Sequence, residues 1–411
     1  MNMPSPAKRK KILIYYTRFD ENTLGGGEYL PLLLASALQD TCEITFALDF
    51  PSDPARAAAL YDIPLDGTRL KTAVVKPAGG FAARLDAFLP VFRTRNLKRI
   101  AREADVCIST MNMFDFGKPA HHVIAGLRHF GDNAFDDYYL RRPPKTGFAL
   151  LWRKTRTFLA ETILRPLLGV RSTRRILADP RERIHPYSQY VFDTVRAFYG
   201  PFNGEVFLPP TLSEFSAPRV PRDPLKIVYI GRIHPQKRVP DIVAIVEAAR
   251  AATGLDLQLH VAGTLGHDGA HTALLRRLAG EKPWFHLPGA LFGDAKEDFL
   301  HSATYAIHAE REEPFGISIT EYLKAGLVPV VPDMGGTREI VDTPELSYAT
   351  VPDAAAILAR LLRDEAFRAR MQARCAERAK LYSREAYFER QRALVAELLG
   401  TQPPDGSPSS P

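Results

Sequence analysis

Five prolines, Pro209, Pro210, Pro218, Pro221 and Pro224, stand within sixteen residues near the middle of the chain. Proline has no amide hydrogen to donate and a fixed φ, so this density excludes a helix or a central strand and marks a stiff linker. On either side, short apolar runs alternate with helical patterns. Before the linker, residues 11–17, 43–48 and 105–109 read as strands and 28–39 as a helix. After it, 226–230, 257–262, 284–287, 305–308 and 328–331 read as strands, and a helix opens at Pro240-Asp241 with Ile242, Ile245 and Val246 at helical spacing. Such alternation implies an α/β fold of parallel sheets joined by crossover helices. At 411 residues the chain is too long for one core. It divides into 1–208, the linker 209–224, a second domain 225–383, a closing helix 384–400 and a Pro/Ser/Gly-rich tail 401–411 expected to be disordered.

Bulk chemistry excludes several classes. Cys42, Cys107 and Cys375 are odd in number and far apart, so no disulfide framework is expected, which fits a reducing cytoplasm. No apolar run is long enough to span a membrane, and the run 12–16 is too short for a signal peptide. The net charge of +7 is not spread evenly. Residues 141–175 carry ten Lys/Arg against one acidic residue, Glu161, a local balance of +9 that leaves −2 for the rest. Without a recognition motif or a basic face elsewhere, no nucleic-acid partner is expected.

Three stretches of the second domain carry chemistry. In Glu313-Pro-Phe-Gly-Ile-Ser-Ile-Thr-Glu321, Pro314 keeps Glu313 out of a helix and places it in a loop after a strand. Gly316 permits close backbone approach, and the amides that follow lie at a helix N-terminus, a natural anion site. Ile230-Gly231-Arg232 ends the strand that opens this domain, and Lys237 follows five residues later. Arg as a fork and Lys as a point charge, from one strand-to-helix loop, can grip a diphosphate. Finally, residues 329–339 give a strand, the pair Gly335-Gly336 and a helix start.

The order Gly-Arg-x4-Lys, Val261-Ala-Gly263, Pro288-Gly289, Glu-Pro-Phe-Gly-x4-Glu, then Pro-Val-Val-x3-Gly-Gly-x2-Glu, over residues 225–342, resembles the retaining GT-B glycosyltransferases of family 4. The N-terminal half resembles the family through Gly25-Gly26-Gly27-Glu28 after the first strand and through Pro209-Pro210. The resemblance implies two facing Rossmann-like domains with parallel sheets and a cleft between them, and a closing helix that crosses back to the first domain. It implies a retaining, metal-independent hexosyltransferase using a UDP- or GDP-sugar, with no cofactor and a carbohydrate or lipid-linked acceptor, in cell-envelope polysaccharide or glycolipid synthesis. Arg232 and Lys237 would hold the donor diphosphate. Glu313 would accept hydrogen bonds from donor-sugar hydroxyls, with amides around Phe315, Gly316 and Ile317 on the same sugar. Glu321 would bind the ribose, the base would lie against Pro288-Gly289-Ala290, and Gly26 and Gly27 would line the cleft. His129 stands where the family often keeps a histidine near the reacting carbon. A sugar-nucleotide epimerase on the same scaffold and a catalytically silent sugar-binding module are the alternative readings.

Two patterns fall outside this frame. His267-Asp-Gly-Ala-His271 has the spacing of a zinc helix, but Gly269 and the missing Glu favour a surface loop, and His121-His122 point apart on any strand. In 148–163, Phe148, Leu151, Trp152, Leu159 and Ile163 recur at helical steps, with Arg153, Lys154 and Arg165 turned away. This suits either an amphipathic helix on anionic lipid, peripheral on the inner face of the plasma membrane, or an ordinary helix with a solvated basic face.

Overall fold

The computed structural model describes residues 9–399 apart from 20–25, 78, 89–90, 128–134, 136–137, 140–146, 148–150, 152–154, 156–157, 210, 212–214 and 266–268. His129, Gly25, Trp152, His267 and the tail 401–411 lie outside the described residues. The chain forms two compact units, Met1–Pro209 with Tyr387–Pro411, and Pro210–Ala386.

Among the described residues, the first unit is built on six parallel strands: β1 (Lys10–Tyr16), β2 (Cys42–Leu48), β3 (Leu70–Val74), β4 (Val106–Ser109), β5 (His121–Ile124) and β6 (Arg183–Pro186), in the order β3-β2-β1-β4-β5-β6. The run of apolar residues in β1 explains its central place. Ile12, Leu13, Ile14 and Tyr15 are essentially inaccessible, and Ile12 stands in register with Ile44 on one side and Val106 on the other. A strand without alternation is covered on both faces by crossover helices. The first of these, Gly26–Leu38, follows β1, with Gly26 and Gly27 in its opening turn. The two histidines of β5 project to opposite faces, as successive residues of a strand must. His121 Nδ1 shares a hydrogen bond with His185 Nε2 at 2.8 Å, and His122 Nε2 lies 3.0 Å from Glu182 Oε2. Burial pushes the His121 imidazole down to about 2 and His185 to about 4, so both are neutral core groups.

The second unit repeats the plan with β7 (Asp223–Ile230), β8 (Gln258–Ala262), β9 (Phe285–Gly289), β10 (Ala303–Ile307), β11 (Val328–Pro332) and β12 (Ser347–Tyr348), all parallel in the order β12-β11-β10-β7-β8-β9. The loops after β7, β10 and β11 leave the same edge of the sheet, because parallel strands end together. His271 sits on the helix Gly269–Glu281 rather than in a loop. The last helix, Arg384–Leu399, joins the first unit from Tyr387 onward. There the Tyr387 hydroxyl donates to the Leu30 carbonyl at 3.4 Å, and Arg390 donates to the Leu208 carbonyl at 3.1 Å.

Candidate functional site

The chain leaves β10 at Ile307 and runs as a loop through His308, Glu310, Glu313 and Phe315 into the helix Ile317–Lys324. Glycines after β11 hold this loop in place. The Gly336 amide donates to the Glu313 carbonyl at 2.8 Å. A Cβ on Gly336 would come within 2.5 Å of the Pro314 carbonyl oxygen, and one on Gly335 within 2.6 Å of the Arg311 oxygen. Backbone therefore lies against backbone where no side chain fits. Gly316, with φ of 103°, turns the loop into the helix, and a Cβ there would stand 2.7 Å from Thr337 Cγ2. Phe315 is buried with its ring 6.0 Å from Tyr382, and Ile317 begins the helix whose first amides have no partner within it.

Lys237 approaches this loop from the other side. It lies in the short 3₁₀ turn Pro235–Lys237 after β7, capped by the His234 side chain. The strand end that launches it is fixed by Tyr322, whose hydroxyl accepts from the Ile230 amide at 2.8 Å. The Lys237 ammonium bonds Glu313 and lies 2.6 Å from Glu310 Oε2, while His308 Nε2 stands 3.4 Å from Glu313 Oε2. Burial works against all of these charges, and the outcomes differ. Burial and then the Glu313 charge push the Glu310 carboxyl up to about 7. Burial raises Glu313 too, but the Lys237 charge outweighs it and holds Glu313 well below the usual carboxylate range. For Lys237, burial is overcome by Glu313 and then Glu310, so its ammonium is held above the ordinary value. Burial lowers His308, leaving it neutral. Among the described residues, His308, Glu310 and Glu313 bring ligand-type atoms within 4.8 Å of one another, and the Lys237 ammonium already supplies a cation there.

The sheet edge thus gathers Lys237, Glu313, Phe315, Gly316 and Ile317. Glu321 lies farther along the helix, buried, with Oε1 2.5 Å from Lys296 Nζ of the helix Gly293–His301. Arg232 is exposed just beyond β7, next to Gly231, whose amide donates to the Ala262 carbonyl. Gly289 ends β9 and accepts from the Gly263 amide at 2.8 Å. Gly26 and Gly27 belong to the first unit. Sequence reasoning missed Glu310, His308 and Lys296. Glu310 stands three residues before Glu313 at a strand end, a signal that could have found it, whereas Lys296 within Gly293-Asp-Ala-Lys-Glu-Asp298 carries none.

Residues 213–381 match the model of the family described as Glycosyl transferases group 1. No curated protein matches the chain. Among solved structures, Anabaena HepE in complex with UDP and glucose superposes with a TM-score of 0.64 at 14% identity, over 95% of this chain and 100% of that one. Sucrose-phosphate synthase from Thermosynechococcus elongatus gives 0.66 at 15% identity, over 95% and 100%. WaaG, a glycosyltransferase involved in lipopolysaccharide biosynthesis, gives 0.63 at 11% identity, over 93% and 99%. Such identities speak for the fold, and the family match lies on the unit that holds the Lys237–Glu313 cluster. The second unit thus matches the glycosyl transferases group 1 model over most of its length, and the chain shares the fold of the GT-B glycosyltransferases.

Proposed function

We propose that this protein transfers a hexose, with retention of configuration, from a UDP- or GDP-sugar to a carbohydrate or lipid-linked acceptor on the cytoplasmic side of a membrane. The observation that carries the reading is the Lys237 ammonium, held at the carboxyl edge of a parallel sheet beside a glycine-opened helix N-terminus. Ligands of open α/β sheets bind at that edge, and a fixed cation with convergent amides suits a diphosphate. HepE, whose fold this chain shares, was captured with UDP and glucose, and WaaG acts in lipopolysaccharide synthesis.

In this reading Lys237, with exposed Arg232, takes up the negative charge that grows on the departing diphosphate. The diphosphate oxygen accepts the proton of the incoming hydroxyl as that hydroxyl attacks the sugar carbon on the face the diphosphate leaves. Glu313, fully ionised, accepts hydrogen bonds from the sugar hydroxyls, and amides around Phe315, Gly316 and Ile317 bind the same sugar. Glu321 takes the ribose hydroxyls, with Lys296 orienting its carboxylate, and the loop at Gly289 lies against the base. Gly26 and Gly27 also serve donor binding, and His129 acts near the reacting carbon. Neither a metal nor a cofactor takes part.

The test is thermal unfolding against UDP, GDP, ADP and their hexose conjugates, with chelator present. A ligand that binds only the folded state raises the melting temperature. One nucleotide should give a selective rise, and Glu321→Ala should abolish it while melting within a few degrees of the parent. No rise with any nucleotide, or an unchanged rise in Glu321→Ala, overturns the site.

A further inference from the structure

The first unit carries an apolar face that nothing in the donor-site chemistry uses. Leu151, Phe158, Leu159, Ile163 and Leu167 are 62%, 59%, 45%, 45% and 79% exposed. These five fall within seventeen residues of sequence, and the last three ride on one continuous element, a turn of π-helix, Leu159–Leu164, continued by Arg165–Leu167. The element is fastened from its other side. Leu164 and Leu168 pack against buried Val91 and Val170, and the Gly169 carbonyl accepts from Lys98 Nζ at 2.6 Å. The exposure is therefore that of an anchored element with an outward apolar side.

Positive charge borders this face. Val91 and Lys98, which make the seam, lie seven residues apart on one line of the helix Val91–Ala101. Arg95 and Arg99 of the same helix, and Arg102 just after it, are exposed and follow an i, i+4, i+7 step beside that line. Arg174 and Arg175 are exposed on the sequence that follows. Residues 141–175 as a whole carry ten Lys/Arg and one acidic residue, while the rest of the chain sums to a slight negative charge.

We infer that this face of the first unit docks on the surface of an anionic lipid membrane. Leu151, Phe158, Leu159, Ile163 and Leu167 enter the acyl boundary, and Arg95, Arg99 and Arg102 meet the lipid phosphates. Charge complementarity selects the occupant. An apolar side edged by arginines matches the layering of a lipid interface, where hydrocarbon lies just below a sheet of phosphate. The surface stands apart from the donor-site reading, since its test measures lipid binding alone.

The experiment is co-sedimentation of the full chain with vesicles of phosphatidylcholine alone or containing about one-third phosphatidylglycerol. The anionic vesicles should bind at least about tenfold more strongly, and added salt should weaken that binding. Phe158→Asp with Leu167→Asp should reduce it by about tenfold or more, and so should Arg95→Glu with Arg99→Glu. All four side chains are exposed or helix-surface positions, so both variants should melt as the parent does, and Leu167→Ser alone gives the same reading if the double variant melts early. Equal sedimentation of parent and variants with anionic vesicles overturns the proposal. So does a parent that is a dimer in sedimentation equilibrium and a monomer as Leu167→Asp, because the apolar face is then covered by a second copy.

Discussion

Lys237 stands against more negative charge than one ammonium neutralises, and the two carboxylates share it unequally. Glu313 takes the better contact and stays ionised, while Glu310 is left with a carboxyl pushed up to about 7. A carboxyl whose folded value exceeds its unfolded one contributes most below the unfolded value, and that contribution is lost as the pH rises through the folded value. For Glu310 the loss falls between the ordinary glutamate range and about pH 7. A glutamine there keeps the shape and cannot ionise. Glu310→Gln should therefore melt with the parent near about pH 5 and several degrees above it near about pH 8.5, a gain of roughly 2 kcal/mol. Glu313 has the opposite sign, with stability present above its unfolded value and lost as the pH falls below it. A pH series of thermal unfolding on both proteins checks the claim, and parallel curves at all pH values would show that Glu310 is not held near neutrality.

Loops held by glycine at backbone contact distance transmit small changes. The Gly335-Gly336 pair braces the Glu313 loop, so a methyl group at Gly336 must push the Pro314 carbonyl aside. Gly336→Ala should cost about 1–3 kcal/mol by overpacking and weaken nucleotide binding by about tenfold. In contrast, Gly280 sits in the helix Gly269–Glu281 with nothing within 4 Å of the point where a methyl group would stand, and Gly280→Ala should gain about 0.5–1 kcal/mol with binding unchanged. Denaturant unfolding and calorimetric titration of the two variants separate strain at the loop from a general effect of added methyl groups. The same distinction explains what the sequence disclosed. Strands buried on both faces, such as β1, β7 and β10, are legible as apolar runs, and each starts or ends within a few residues of expectation. β3 carries no such signal because Leu70–Val74 is a half-exposed edge strand in which Lys71 and Thr72 are both exposed. β5 and β6 open with His121-His122 and Arg183-Ile-His185, polar residues that the fold buries by pairing them, His121 with His185 across the sheet and His122 with Glu182. The glycine and proline punctuation of the Glu313 loop is a local signal and is readable. Lys296 beside Glu321 and Glu310 beside Lys237 arise where separate elements meet, which no local pattern encodes.

At the scale of the molecule, the chain does not finish where its second sheet ends. From Tyr387 the last helix belongs to the first unit, with Tyr387, Gln391 and Leu394 buried and the Tyr387 ring 5.7 Å from Phe207. Tyr387 also donates to the Leu30 carbonyl on the helix that follows β1, so one side chain ties the end of the chain to its beginning. Replacing it with alanine removes an aromatic ring from a packed site and leaves a cavity, a loss of about 3–5 kcal/mol. Because those contacts lie in the first unit, the loss should be local to it. Hydrogen exchange of Tyr387→Ala should show faster exchange in the helix Gly26–Leu38 and in β1, with β7, β8 and β10 exchanging as in the parent. Equal acceleration in both sheets would mean that the closing helix stabilises the two units together. Acceleration confined to the second unit would mean that it serves the other sheet.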